Sequence, residues 1–367
     1  MSMKISIVIP CYNAEKYIKE CLNSCLLASH EMIEIICVDD GSTDNTKSIV
    51  DSYDRTYTCV RSIAHKENLG TLEARRSGSL AATGDYILYL DPDDLLEFRI
   101  IDRIFEKIGN RCLDALFFRF DVFGDCDEFR KTKWEKLKKG YPSLEGIFTR
   151  KETWPPSVWS CAWNSALIKK TFDFLPKGYC VLCEDGIMLL VLLLLAKEVA
   201  YIDAIGYRYR LNSGITTFSE TMTADRFMKK IRSNLYFAKF GECFQFRFGE
   251  HQKYFQVLTA KFYDSFWPEI SEYLASGAYM SELKAKIETC PEIADAVLLA
   301  WRERELMVSD LFSELGKCCF LRTSVKIQRI VLGVLERISG KSDELANRRS
   351  ILKTVRKLLL NKKKGGR

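Results

Sequence analysis

Short apolar runs alternate with segments of helical spacing through the first part of the chain, and this alternation constrains the fold more than any other feature. Four apolar runs predict strands, at Lys4–Ile9, Ile33–Val38, Cys59–Ile63 and Tyr86–Leu90. The segments between them predict helices, at Tyr17–Leu27, Thr46–Tyr53 and Thr71–Ala82. Because the links are short and the second run is nearly all apolar, as in a strand buried on both faces, the pattern predicts an α/β fold with a doubly wound, mostly parallel sheet.

The remaining sequence divides into a mixed segment and a helical one. Further strands are predicted at Ala115–Val122 and Tyr201–Ile205. The apolar run Ile187–Ala196 is ten residues long, and spanning a bilayer takes about 20, so it predicts a buried helix. We therefore expect an α/β domain over residues 1–217, with halves at 1–110 and 111–217. A helical region at 218–344, with helices including Phe227–Phe240, and a tail at 345–367 would follow.

The net charge of +6 is concentrated in the tail. Residues 345–367 contain nine basic side chains and no acidic one, so the rest of the chain is close to neutral. A near-neutral body gives no support to nucleic-acid binding. In the tail, apolar and basic residues interleave at helical spacing, which suits an anionic membrane surface, although a solvated terminus is an equal alternative.

Fourteen cysteines occur in a chain with no stretch resembling a secretory signal before Pro10. This combination indicates reduced thiols in a cytoplasm. Cys180 and Cys183 form a CxxC pair, but a zinc site would need further ligands, and none of the three histidines is near in sequence. Buried thiols are the preferred interpretation, and a metal or redox site is the weaker one.

Acidic clusters follow two of the predicted strands, where sheets of this kind bind ligands. Asp91-Pro92-Asp93 places two carboxylates at a proline-fixed turn, where they could hold Mg²⁺ or Mn²⁺ and so neutralise a diphosphate. The alternative is a solvated turn that caps a helix beginning near Leu95.

Three other positions allow both a functional and a structural interpretation. Asp39 could accept an N–H from a base, or only help to build a turn. Arg75 could contact a nucleotide, or lie on the surface of an amphipathic helix. Asp185, next to Glu184, could act as a general base, or both acids could simply favour a helix N-terminus.

Taken together, these motifs resemble one family. The motifs are Val8-Ile9-Pro10-Cys11-Tyr12-Asn13, Val38-Asp39-Asp40-Gly41-Ser42-Thr43-Asp44, Asn68-x-Gly70 with Ala74-Arg75 and Gly78, and Asp91-x-Asp93-Asp94. In order and spacing they resemble the nucleotide-binding half of family 2 glycosyltransferases. Trp163-Asn164, Glu184-Asp185 and Tyr207-x-Tyr209-Arg210 with Ser213–Thr216 resemble the acceptor half, so the resemblance covers roughly residues 3–217.

The resemblance implies a GT-A fold and inverting transfer from a nucleoside-diphosphate sugar, most readily a UDP-sugar. The implied nucleotide-sugar contacts are Pro10, Tyr12, Asn13, Asp39, Asp40, Arg75 and Asp91. Asp91 and Asp93 would hold Mn²⁺ or Mg²⁺, Asp185 would be the base with Glu184 beside it, and Ser213–Thr216 would close near the donor.

The implied acceptor is a glycan or a lipid-linked acceptor, and the enzyme would be cytoplasmic, at the inner face of the membrane, with no nucleic-acid partner. A nucleotidyltransferase is disfavoured, because Pro10–Ala14 lacks the glycine of a phosphate loop. A catalytically silent sheet domain that docks on a membrane or on nucleic acid is the alternative from another class.

Overall fold

The computed structural model describes residues 3–28, 32–124, 143–148, 157–211, 224–259 and 262. Within these ranges eight strands form one sheet flanked by helices. The strands are β1 (Ile5–Cys11), β2 (Ile33–Asp39), β3 (Val60–Ala64), β4 (Tyr86–Tyr89), β5 (Leu95–Leu96), β6 (Ala115–Phe123), β7 (Cys161–Asn164) and β8 (Val199–Arg210). Their order across the sheet is β3-β2-β1-β4-β7-β6-β8-β5.

The helices are α1 (Ile18–Leu27), α2 (Thr46–Thr56), α3 (Thr71–Ala81), α4 (Ile100–Ile108), α5 (Leu144–Phe148), α6 (Ser165–Phe174), α7 (Glu184–Leu195), α8 (Ala224–Phe248) and α9 (252–259). The three helices predicted in the first part of the chain correspond to α1, α2 and α3. Helix α7 is buried from Gly186 to Leu192, as predicted for that apolar run. No helix in the described ranges is long and apolar enough to cross a membrane.

The first four strands to be predicted form the parallel half of the sheet. Strand β1 lies between β2 and β4 and is parallel to both, and β2 is parallel to β3. All seven side chains of β1 are buried, as expected for a strand covered on both faces. Cys11 lies opposite Asp39 in the register, so β1 and β2 end at the same edge. This alignment brings the residues after β1 and β2 together.

The second half of the sheet departs from the predicted pattern. Strand β7 enters between β4 and β6, antiparallel to both, whereas β6 and β8 are parallel to each other. The helix expected near Leu95 is not formed. Leu95 and Leu96 instead pair with Arg208 and Tyr207 of β8, and α4 begins only at Ile100. Pairing with a distant strand satisfies the backbone groups that a helix would otherwise have used.

Helix α8 is longer than the predicted helix Phe227–Phe240 and lies against the segment that precedes α7. Val181 N donates to Ser233 Oγ at 3.2 Å, and the Tyr236 hydroxyl donates to the carbonyl of Pro176 at 2.9 Å. Residues 263–344 of the predicted helical region and the tail at 345–367 lie outside the described residues. The division of the chain at 217 and 344 stays a prediction.

Candidate active site

Asp39 ends β2 at the carboxyl edge of the sheet and is buried. Its Oδ1 atom accepts no hydrogen bond from the protein, although it is shielded from solvent. Pro10 is buried in β1, and Tyr12 follows at the same edge, half-buried. A buried carboxylate oxygen without a donor is costly unless a ligand supplies one. The geometry is therefore suited to an N–H group of a bound base.

Asp40 is next along the chain, and both oxygens of its carboxylate have hydrogen-bond partners within the protein. Its Oδ1 lies 2.6 Å from His65 Nδ1 and accepts from Leu69 N at 2.9 Å, and its Oδ2 accepts from Gly70 N at 2.8 Å. These contacts fix the turn that starts α3. Gly70 has φ +93°, and a Cβ there would lie 2.9 Å from the backbone of Cys180, so only glycine suits this position. The nucleotide contact implied for Asp40 stays a prediction, and its observed contacts shape the turn.

Asn13 joins two loops at this edge. Its Oδ1 accepts from Thr43 N at 2.8 Å, and its own N donates to Ser42 Oγ at 3.1 Å. Asn13 also has φ +48°, a left-handed conformation that asparagine tolerates better than most residues. The structure thus gives Asn13 a part in holding the loops after β1 and β2. Its implied contact with a nucleotide sugar is untested.

The guanidinium of Arg75 brings together the two motifs that the sequence assigned to separate roles. Arg75 is buried on α3, and its Nη2 donates to Asp91 Oδ1 at 2.9 Å. Its Nη1 donates to Asp185 Oδ1 and lies 3.5 Å from Glu184 Oε1. Asp91 and Asp185 are thus bonded to the two terminal nitrogens of one side chain. These carboxylates are the described polar partners of Arg75, and a direct nucleotide contact stays a prediction.

Burial changes the acidity of the two carboxylates that begin α7. It raises the pKa of Asp185 to about 8, with the positive charge of Arg75 opposing the shift and the negative charge of Glu184 adding to it. Burial raises the pKa of Glu184 as well. A carboxylate whose proton affinity lies near neutral pH is better matched to removing a proton from a hydroxyl group than an ordinary aspartate. The raised pKa makes Asp185 the candidate for a general base, and that role stays a prediction.

The loop that carries Asp91 and Asp93 is held by residues at the end of β8, which we call the β8 clamp (Tyr207 and Arg210). Tyr207 donates its hydroxyl to Asp94 Oδ2 at 2.5 Å and accepts from Asp91 N at 3.2 Å. Arg210 N donates to Asp94 Oδ1 at 2.6 Å, and Arg210 Nε donates to the carbonyl of Asp93 at 2.7 Å. The clamp thus fixes the loop through Asp94 and the backbone.

Asp94 is buried, and its surroundings differ from those of the pair that precedes it. Burial raises its pKa, and the negative charges of Asp93 and Asp91 raise it further. Tyr207 and Arg210 belong to the motifs that carry the family resemblance, which implied no role for them. The pairing of β5 with β8 brings the clamp to the loop, and the sequence pattern did not indicate this pairing.

The chemistry of Asp91 and Asp93 fits a hard divalent cation. Among the described residues no group of three His, Cys, Asp or Glu side chains is placed to hold a metal. Two carboxylates suffice, however, where substrate phosphates and water complete the shell of Mg²⁺ or Mn²⁺.

Cys180 is fully buried with its thiol directed at the carbonyl of Leu182, and burial raises its pKa. This thiol behaves as a core side chain.

Comparison with known proteins finds a similarity to one family. Residues 6–173 match the family model described as glycosyl transferase family 2. This part of the chain is therefore similar to glycosyltransferase family 2, as its motifs indicated.

Two curated relatives come from Streptococcus pneumoniae. The chain is 27% identical to glycosyltransferase GlyA over 223 residues, which cover 58% of this chain and 31% of GlyA. It is 35% identical to glycosyltransferase GlyG over 128 residues, which cover 35% of this chain and 42% of GlyG. The chain spans less than half the length of either relative, so the match concerns the domain and not the whole proteins.

A solved structure shares the fold. The crystal structure of residues 1–349 of S. aureus TarS superimposes with a TM-score of 0.52 at 19% identity, and the match covers 80% of this chain and 81% of that one. At this identity the likeness concerns the fold alone. It confirms the predicted GT-A-type α/β architecture.

Proposed function

We propose that this chain transfers a sugar from a nucleoside-diphosphate sugar to an acceptor hydroxyl, with inversion at the anomeric carbon. The observation that carries the proposal is the meeting of Asp91 and Asp185 at the guanidinium of Arg75. Inverting transfer needs charge stabilisation on the leaving-group side and a base on the acceptor side, within one sugar ring of each other. Asp91 and Asp185 are the candidates for these two roles, and their contacts with one guanidinium support the proposal.

The donor would lie along the carboxyl edge of the sheet. Asp39, whose Oδ1 lacks a donor within the protein, would accept from the base, beside Pro10 and Tyr12. The diphosphate would then reach the loop that contains Asp91 and Asp93. Asp91 and Asp93 would hold Mg²⁺ or Mn²⁺, which supplies electrostatic stabilisation of the leaving diphosphate when bound. UDP is the nucleotide that the family resemblance favours.

Asp185 would take the proton from the acceptor hydroxyl. The hydroxyl oxygen attacks the anomeric carbon from the face opposite the diphosphate, and a new C–O bond forms as the bond to the diphosphate oxygen breaks. Configuration inverts in this single displacement, so no glycosyl-enzyme intermediate is required. Arg75 keeps Asp185 and Asp91 in place and offsets part of their mutual repulsion.

The acceptor that we propose is a glycan or a lipid-linked acceptor at the inner face of the membrane. The basic tail at 345–367, outside the described residues, would then dock on anionic lipid. Sedimentation with anionic liposomes tests this part, using the full chain and a truncation that ends at residue 344. We expect the truncation to lose binding, and equal binding by the two proteins would contradict the role of the tail.

The transfer function is tested with the full chain and a panel of nucleotide sugars. Thermal unfolding with and without each donor shows which one protects the native state. The best donor is then assayed for hydrolysis and transfer with Mn²⁺ and after addition of EDTA. We expect protection by at least one donor and turnover that EDTA abolishes. No protection and no turnover with any donor would favour the catalytically silent alternative.

A further inference from the structure

The carboxyl edge of the sheet is strongly acidic for a site that is to bind a diphosphate. Its carboxylates come from three motifs: Asp39, Asp40, Asp91, Asp93, Asp94, Glu184 and Asp185. Arg75 brings one positive charge against the three carboxylates that it contacts. A diphosphate adds further negative charge. With a divalent cation alone, the outer oxygens of the diphosphate would still face an acidic surface. Binding would be favoured by additional cations near the path of the donor.

Helix α8 brings two cations to this edge. The ammonium of Lys229 lies 5.1 Å from the centre of the Tyr12 ring, and the guanidinium of Arg232 lies 3.8 Å from the centre of the Tyr179 ring. The two residues are three positions apart on the helix and so project from the same face. Lys229 is half-buried and Arg232 is exposed, so both can still reach a ligand.

The contacts of α8 with the rest of the domain fix these cations beside the proposed donor site. Ser233 and Tyr236 are bonded to Val181 and Pro176, as described above, which holds this part of the helix against the segment that precedes α7. Burial raises the pKa of Tyr179, the positive charge of Arg232 opposes that shift, and the neighbouring Tyr12 and Asp40 add to it. Tyr179 is therefore within electrostatic reach of two residues at the ends of β1 and β2.

We infer that Lys229 and Arg232 bind the phosphate groups of the donor and that α8 forms one wall of the donor site. This rests on the proposed function, and it adds to the donor-binding residues a helix that lies outside residues 6–173, where the family model matches. The cation–π contacts hold the two side chains in place before the ligand arrives. On binding, each cation can form a charge-assisted hydrogen bond with a phosphate oxygen.

The experiment compares nucleotide affinity between wild type and variants of the full chain. Dissociation constants for UDP and UMP are measured by calorimetry in the presence of Mn²⁺, with GDP and GMP used if UDP does not bind. For Lys229→Met and Arg232→Met we expect UDP to bind about tenfold more weakly, the effect of losing one charge-assisted hydrogen bond. The loss should be smaller for UMP, which has one phosphate fewer, and smaller at high salt.

Lys239→Met is the matched control, because Lys239 lies further along α8 and its ammonium donates to the carbonyl of Lys177 at 3.2 Å. Its UDP affinity should equal that of wild type. Lys229→Gln and Arg232→Gln serve as second variants should a methionine variant unfold at a lower temperature. If all four variants bind UDP within twofold of wild type, or if Lys239→Met loses as much, the inference is wrong. Failure of wild type to bind any nucleotide or nucleotide sugar would instead refute the proposed function itself.

Discussion

The two ends of the sheet treat a half-buried carboxylate in opposite ways. At the amino edge, Glu34 is surrounded by donors, and its pKa falls to about 2. At the carboxyl edge, Asp185 shares one guanidinium with two other carboxylates, and burial raises its pKa to about 8. Burial raises the proton affinity at both sites, so the difference comes from the number of donors available to each carboxylate.

Donors from three segments meet at Glu34. Its Oε1 accepts from Ser6 Oγ at 2.5 Å and from Thr83 N at 2.7 Å, and its Oε2 lies 3.1 Å from the ammonium of Lys4. Gly84 is required beside it, since a Cβ there would lie 2.6 Å from Ser6 Oγ. A carboxylate with this many donors is kept ionised and holds the strands together. A carboxylate that is crowded by other acids retains affinity for a proton, which is useful in catalysis.

Replacing Asp185 by asparagine should give the largest effect. Without the base we expect kcat to fall roughly 1000-fold, within the range for general-base catalysis. The fold should be kept, because the raised pKa of Asp185 means that its ionised form opposes folding at neutral pH and above. The checks are single-turnover transfer and thermal unfolding at pH 8. Near-normal transfer by this variant would exclude Asp185 as the base.

Removing the metal site should give the second largest effect. Asp93→Ala is expected to reduce kcat/KM by at least about 100-fold, because it removes electrostatic stabilisation of the leaving diphosphate. EDTA should reduce the kcat/KM of wild type by a similar factor. It should change the residual turnover of the variant little. Mn²⁺ titration of both proteins measures this, and an EDTA-insensitive wild type would argue against a metal.

The pH dependence of wild type should reflect Asp185. The carboxyl is protonated and inactive below its pKa, so kcat/KM should rise about tenfold per pH unit from pH 6 and level off above pH 8. Initial rates at saturating Mn²⁺ and low donor concentration measure this limb. The residual activity of Asp185→Asn should lack it, and an unchanged limb in that variant would assign the titration to another group.

Loosening the β8 clamp should have a moderate effect. Tyr207→Phe keeps the ring but loses the hydroxyl that joins Asp94 to the backbone of Asp91. We expect Mn²⁺ affinity to fall about tenfold, as is typical when a residue supporting the metal ligands is changed. Hydrogen exchange in the peptide that spans residues 90–97 should become faster.

Tyr86→Phe is the matched control for the clamp, because its hydroxyl donates to the carbonyl of Leu113 at 2.8 Å, near the opposite end of β4. It removes a comparable buried hydrogen bond and should leave Mn²⁺ affinity unchanged. Equal losses in the two variants would mean that Tyr207 contributes only to general stability.

Replacing Glu34 should affect activity least. Glu34→Gln is expected to leave kcat within about twofold of wild type and to lower the free energy of unfolding by about 2 kcal/mol at pH 7. The folded-state pKa lies below the ordinary value of 4.5, so this contribution is present above pH 4.5 and is lost as the pH falls towards 2. Urea unfolding at pH 7 and pH 3 tests this, and an equal loss at both pH values would contradict it.

The sequence by itself determined the local elements and the positions of the acidic clusters. Alternation of apolar residues is a local signal, so strands β1 to β4 and helices α1 to α3 were predicted close to their observed bounds. The order of strands and acidic turns was enough to place Asp39 and Asp91 at one edge. The buried helix α7 also followed directly from its apolar run.

Only the tertiary structure decided which of these groups meet. Arg75 and Asp185 are 110 positions apart, and Tyr207 and Asp94 are 113 apart. The insertion of β7, the pairing of β5 with β8 and the approach of α8 depend on how distant segments pack, and no repeating local pattern encodes that. Residue types at strand ends suggested the chemistry, and the long-range pairing of strands and helices arranged it around Arg75.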